Sequence, residues 1–223
     1  MDLTQKKLPQ GLCVASKSGG GPGFKSRVEQ KPNHSNPQEH RYLMLMDLPD
    51  SSFISENLSK YPDTQGLEPE ELEGYGKKFE SQEFLTCQQL YEIAYMSSTR
   101  SAYHVKKNPE ERCRNVTSNL RRVEDDFSKM ALICSLRGFK TPTASCVLTA
   151  LDPERHAVVD TRVWASLERL NFFDRRKESF EPTDYVKIME AIRDISDRTG
   201  FSCSEVGYSL FAYDAEVRDG TLH

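Results

Sequence analysis

Asp160 closes the apolar pair Val158-Val159 and runs straight into Thr161-Arg162-Val163-Trp164, which reads as a helix start. A carboxylate in that position can cap the helix by accepting its first backbone amides. Partly desolvated by the two valines, it can also stay ionised. The second stretch with chemistry in it is Leu136 to Thr143. A helix ending near Leu136, a glycine at 138 and a new helix beginning between Thr141 and Thr143 gather unpaired N–H groups and the positive end of the second helix at one point. Such a point suits a phosphate. An ordinary helix corner solvated by water has the same pattern.

The elements that must position these residues are helical. Apolar residues recur at three-and-four spacing after Glu83, with Thr86 as a cap and Phe84, Leu85, Leu90, Ile93 and Ala94 inward. This helix ends in a polar corner, Tyr95 to Arg100. A further helix is predicted from Pro109 to about Arg121, capped by Asn108. The next runs from Val123 to Leu136 and turns Phe127, Met130, Ile133 and Cys134 to a core, with acidic residues at its positive start. The hairpin motif spans 130–151 and breaks at Asp152-Pro153. Helices are also predicted over 184–198, stopped by Gly200, and from Ser204 to about Glu216. Residues 51–61 read as a short helix, and Glu70, Glu71 and Glu73 line a solvated helix face within 68–80. No stretch alternates convincingly as a strand, so the fold class is mainly α, a compact helical domain.

The chain has 223 residues, room for one well-buried domain and an unstructured extension. A mean hydropathy of −0.65 is low for a fully packed globule, which puts part of the chain outside the core. Residues 1–41 read as a disordered basic tail, with GGGPG at 19–23 and a balance of +4; residues 42–223 read as the single domain. His34 and His40 in that tail read as bystanders, not ligands. The 42–99 segment carries −8. From 100 to 140, ten Lys and Arg face five Asp and Glu, a local basic stretch that can serve a polyanion or form solvated helix faces.

Six cysteines without a C-x-x-C pair argue against structural zinc and against a cysteine-ligated cluster. No metal site and no cofactor are expected. The chain lacks an apolar run of about 20 residues and a secretory-type leader, so the expected setting is soluble and intracellular, in cytoplasm, nucleoid or nucleus, with no membrane partner.

The run Leu136-x-Gly138-Phe139-x-x-x-Thr143-Ala144, followed by an apolar helix and Val158-Val159-Asp160-Thr161-Arg162, resembles the helix–hairpin–helix (HhH-GPD) superfamily of base-excision DNA glycosylases. Its members share a hairpin of the form L-x-G-h-G-x-K-T-A and a downstream V-D-T. The resemblance is specific over about thirty residues and looser over 84–216. It implies a DNA-glycosylase-like helical domain whose hairpin holds DNA phosphates through Gly138, Phe139, Lys140, Thr141 and Thr143. It further implies that a flipped base enters a pocket near Asp160, which then stabilises the developing sugar cation or activates water. Tyr95, Arg100, Tyr103, Arg162 and Trp164 are the residues that proximity to these landmarks nominates for the base pocket.

Two departures narrow the chemistry. The lysine that attacks the sugar in bifunctional members is Pro142 here, and its eighteen-residue separation from the aspartate is kept. Proline has no amine, so a lyase step through that residue is excluded. The second hairpin glycine is Lys140, two residues before the nucleophile's place and pointing outward, which adds a charge that can touch the phosphate. In lacking that lysine the chain resembles an uncharacterised branch of the superfamily. Three functions are therefore carried forward: a monofunctional glycosylase using Asp160 and water, a non-catalytic nucleic-acid-binding domain, and a structural helical protein whose hairpin is only a corner.

Overall fold

The computed structural model describes residues 48–218 except 65 and 176. The expectations for residues 1–41, and most of the apolar run from Tyr42, fall outside the described residues. Ten α-helices and no strand occur among those described: α1 (Ser51–Lys60), α2 (Pro69–Gln82), α3 (Cys87–Ser97), α4 (Thr99–Val105), α5 (Glu110–Asn119), α6 (Asp126–Cys134), α7 (Thr141–Leu151), α8 (Thr161–Arg169), α9 (Pro182–Thr199) and α10 (Cys203–Val217).

α7 is the axis of the packing. Nine of its eleven residues are buried, because α2, α3, α6 and α9 all pack on it. A helix apolar on all sides is stable only when surrounded in this way. α10 packs against α1, α8 and α9, and a Ser145–Val159 hydrogen bond holds the segment leading into α8 against α7.

Local signals set most of the boundaries. Thr86 caps α3 in a full capping box with Gln89, and Asp50 caps α1. Gly200 ends α9 in the left-handed conformation at φ 78°. Three expectations change. The polar corner after Tyr95 is narrower than the sequence suggests: Ser98 ends α3 and caps a second helix, α4, which at seven residues is too short to show a period. Asn108 does not cap α5; Pro109 holds the N-cap position, and the buried Asn108 side chain is engaged elsewhere. Phe127 is 46% exposed instead of facing the core, because α6 starts at Asp126 and its first turn faces solvent.

Candidate nucleic-acid site at the hairpin cleft

The turn between α6 and α7 is built on Gly138. Its φ of +90° is open to glycine at little cost, and a Cβ there would sit 2.8 Å from the Ser101 carbonyl oxygen and from the Val105 amide nitrogen of α4. The turn is also clamped from the side. Asn108 accepts the Arg137 N–H at 2.9 Å and donates to the Arg137 carbonyl at 2.9 Å, so the hairpin backbone is fixed by one buried side chain. Lys140 holds the N-cap position of α7 without a side-chain cap, and Pro142 occupies the first turn. The amides of Thr141 and Thr143 therefore lack a capping side chain at the positive end of the helix.

The hairpin residues divide by what they present. Lys140 is exposed. Phe139, Thr141 and Thr143 have buried side chains, and Gly138 is pressed onto α4, so these four can offer an anion only backbone.

Asp160 is at once a cap and a cleft residue. Its Oδ1 accepts the amides of Arg162 at 2.9 Å and Val163 at 3.0 Å. Oδ2 takes no hydrogen bond among the described residues and is not sealed from solvent. Burial raises the carboxyl above the ordinary aspartate range, opposed by the two amides and by the Arg162 charge. The residue before it is held by α7: Ser145 Oγ accepts the Val159 N–H at 2.9 Å and donates to the Pro142 carbonyl at 2.6 Å.

These groups border one cleft of about 620 Å³. Lys140, Pro142 and Thr143 stand on one side and Val158 to Val163 on another, while Met96, Ser97, Ser98 and Ser101 close the α3–α4 corner. Its aromatic wall comes from far away in the chain: Tyr61 after α1, Phe180 before α9, and Tyr208 and Phe211 on α10. Arg162 lies with its guanidinium 4.7 Å from the Phe211 ring centre. Tyr61 donates to the Leu67 carbonyl at 2.7 Å, whereas the Tyr208 hydroxyl has no partner among the described residues. Burial raises both phenols, so they remain neutral donors. Glu178 and Ser179 complete the rim.

Comparison with known protein families, with curated proteins and with solved structures finds no match. The geometry therefore stands alone as the basis for a function.

Of the residues nominated by sequence for a base pocket, Arg162 lines the cleft beside Asp160. Trp164 does not: it is 6% exposed, stacked on Phe173 with ring centres 4.4 Å apart, tilted against Phe180, and bonded through Nε1 to the Arg175 carbonyl. Tyr95, Arg100 and Tyr103 also stand outside the cleft wall, on the exposed face of α3 and α4. Sequence proximity misled here because a helix turns each side chain by its period, not by its distance from a landmark. Tyr61, Phe180, Tyr208 and Phe211 carried no local signal. Only tertiary packing brings them to the cleft.

Among the described residues no cluster of three or more His, Cys, Asp or Glu could hold a metal ion, and no helix is long and apolar enough to cross a membrane. Cys146 is buried and Cys134 half-buried; burial pushes their thiols up to about 12 and about 11 respectively, away from nucleophilic chemistry.

Proposed function

We propose that the protein is a monofunctional DNA glycosylase that docks duplex DNA on the α6–α7 hairpin and hydrolyses an N-glycosidic bond in the adjoining cleft. The observation that carries this reading is the shared cleft: the uncapped start of α7, Lys140 and the free Oδ2 of Asp160 border the same space.

In this reading a phosphate sits against the amides at the start of α7 and the Lys140 ammonium. An extruded nucleotide enters the cleft, with its base against the Tyr208–Phe211 wall and the Tyr208 hydroxyl as a donor to its edge. As the bond from C1′ to the base nitrogen lengthens, positive charge develops on the sugar, and the Asp160 carboxylate stabilises it. Water adds at C1′, its proton passing to the carboxylate, while the base departs with the bonding pair. Holding Oδ1 in two amide bonds fixes the carboxylate before the reaction, so little reorganisation is required. Because burial raises the carboxyl, the acid limb of the pH–rate profile falls at a pH above the ordinary aspartate value of 3.8. Pro142 has no amine and forms no covalent bond to the sugar.

Binding tests the docking half. The full chain is titrated with a duplex carrying an abasic-site analogue at a series of salt concentrations. Affinity that falls with salt supports phosphate docking; no measurable affinity at low salt removes the proposal. Binding without release of any base leaves the hairpin as a non-catalytic DNA contact.

A further inference from the structure

The α3–α4 helical pair carries a second surface that the cleft does not use. From Ile93 to Pro109 the chain contains no acidic residue, and it carries Arg100, Lys106 and Lys107. Tyr95 and Tyr103 stand out from this face with 53% and 65% of their surface exposed, two of the four large hydrophobic side chains exposed to this degree among the described residues. A tyrosine in a helical domain ordinarily buries its ring and leaves only the hydroxyl wet.

Rings and cations interleave. Tyr91 and Tyr95, one helical turn apart on α3, have ring centres 5.8 Å apart. The Lys106 ammonium lies 3.7 Å from the Tyr91 ring centre, and Lys107 lies 5.0 Å from that of Tyr103. Arg100 is three residues before Tyr103 on α4, which makes them surface neighbours. The two acids that flank the stretch are engaged elsewhere: Glu92 accepts from the Tyr75 hydroxyl at 2.8 Å and from Gln88 at 2.9 Å, and Glu110 accepts from Arg114 at 2.7 Å and from the Cys87 amide at 2.8 Å.

A partner for this face must bring both negative charge and flat apolar rings. Unpaired nucleotides have both: each base offers a π-face to a tyrosine, and each phosphate a charge to Lys or Arg. A duplex spends its base faces on its own stack, and an acidic peptide satisfies the cations while leaving the rings without a flat partner. We infer that the Tyr95–Tyr103 face of the α3–α4 pair binds single-stranded nucleic acid, stacking bases on the two tyrosines with Arg100, Lys106 and Lys107 on the phosphates. Gly138 packs against Ser101 and Val105, the side of α4 opposite Tyr103, so this face is a surface separate from the hairpin contact. The inference goes beyond glycosidic chemistry and requires nothing of Asp160.

The test is fluorescence anisotropy of the full chain with labelled oligo(dT). Wild type binds at low salt, and each of Lys106→Gln and Lys107→Gln lowers the steepness of log K against log salt by about 0.7. Tyr95→Ala and Tyr103→Ala each weaken binding by roughly tenfold with the salt slope kept. Tyr95→Phe and Tyr103→Phe retain the affinity because they retain the ring. Both tyrosines are exposed, so the alanine variants leave the fold intact. Absence of oligo(dT) binding at low salt, or binding indifferent to both alanine substitutions, overturns the inference. Oligo(dT) binding that persists when abasic duplex binding fails removes the glycosylase proposal and leaves this one standing; the opposite outcome removes this one alone.

Discussion

Ser145 accepts the Val159 amide at 2.9 Å while its own hydroxyl hydrogen goes to the Pro142 carbonyl at 2.6 Å. One buried hydroxyl thus ties the first turn of the hairpin helix to the residue that precedes Asp160. Neither the start of α7 nor the Asp160 carboxylate shifts without disturbing the other. Several expected outcomes follow from this coupling and from the contacts around it.

Replacing Ser145 by Ala leaves the buried Val159 N–H without a partner. The expected cost is about 1–3 kcal/mol, the penalty of an orphaned buried donor. Urea denaturation reads it as a lower midpoint with an unchanged slope. The same variant loosens Asp160, so any base release falls further than the stability loss accounts for.

Gly138→Ala meets two penalties at once, a φ of +90° and a Cβ pressed 2.8 Å from the Ser101 carbonyl oxygen. Destabilisation on the order of 1–3 kcal/mol is expected, with a matching loss of duplex affinity as the hairpin is forced off α4. Gly200→Ala, also at positive φ but with open space where its Cβ would go, is the comparison: it carries the backbone strain without the contact and leaves DNA affinity unchanged.

Pro142→Lys puts an amine on the first turn of α7, on the wall that faces Asp160. The amide restored there is one of the four that a helix start leaves unpaired in any case, so little stability is lost. On DNA with an abasic site, the amine can condense with the C1′ aldehyde, releasing water, and borohydride then reduces the imine to a stable amine. Covalent trapping is expected for this variant and not for wild type.

His156 governs part of the acid sensitivity. It is 2% exposed, and its Nδ1 lies 2.8 Å from the hydroxyl of the fully buried Tyr185. Burial holds the imidazole down to about 4 from its usual 6.5, against Asp126 and Asp152, which favour the charged form; Lys129 and Arg193 oppose it. Between those two values the unfolded chain binds the proton that the native state refuses. Stability therefore rises with pH across that window and falls as pH drops from 6.5 to 4, by an amount on the order of 3 kcal/mol. His156→Gln removes this share of the slope, which denaturation at a series of pH values measures directly.

The helices were legible because their signals are local. Thr86 with Gln89, Gly200 after Arg198, and Asp160 before Trp164 announce starts and stops within four residues. Gly138 is legible for the same reason: a glycine between two helices marks a turn. α4 escaped because seven residues hold under two turns, too few to display a period. Asn108 escaped because a cap and a long-range clamp use the same amide, and only the approach of Arg137, twenty-nine residues on, decides between them. The cleft was half legible. Its hairpin and aspartate sides are consecutive in the chain, whereas Tyr61, Phe180 and Tyr208 reach it through packing of α1, α9 and α10, and nothing in their neighbourhoods marks them.

The central claim is that the Asp160 carboxylate acts on a nucleotide in the cleft, and Asp160→Asn tests it most directly. Asparagine caps a helix as well as aspartate does and keeps an oxygen for the Arg162 and Val163 amides, so the fold and the cleft persist while the charge is lost. Release of free base is measured from duplexes carrying a panel of damaged or modified bases. The expected result is release by the wild-type protein from at least one duplex and none by Asp160→Asn at equal DNA affinity. Equal release by both proteins, or none from any duplex by wild type, contradicts the claim.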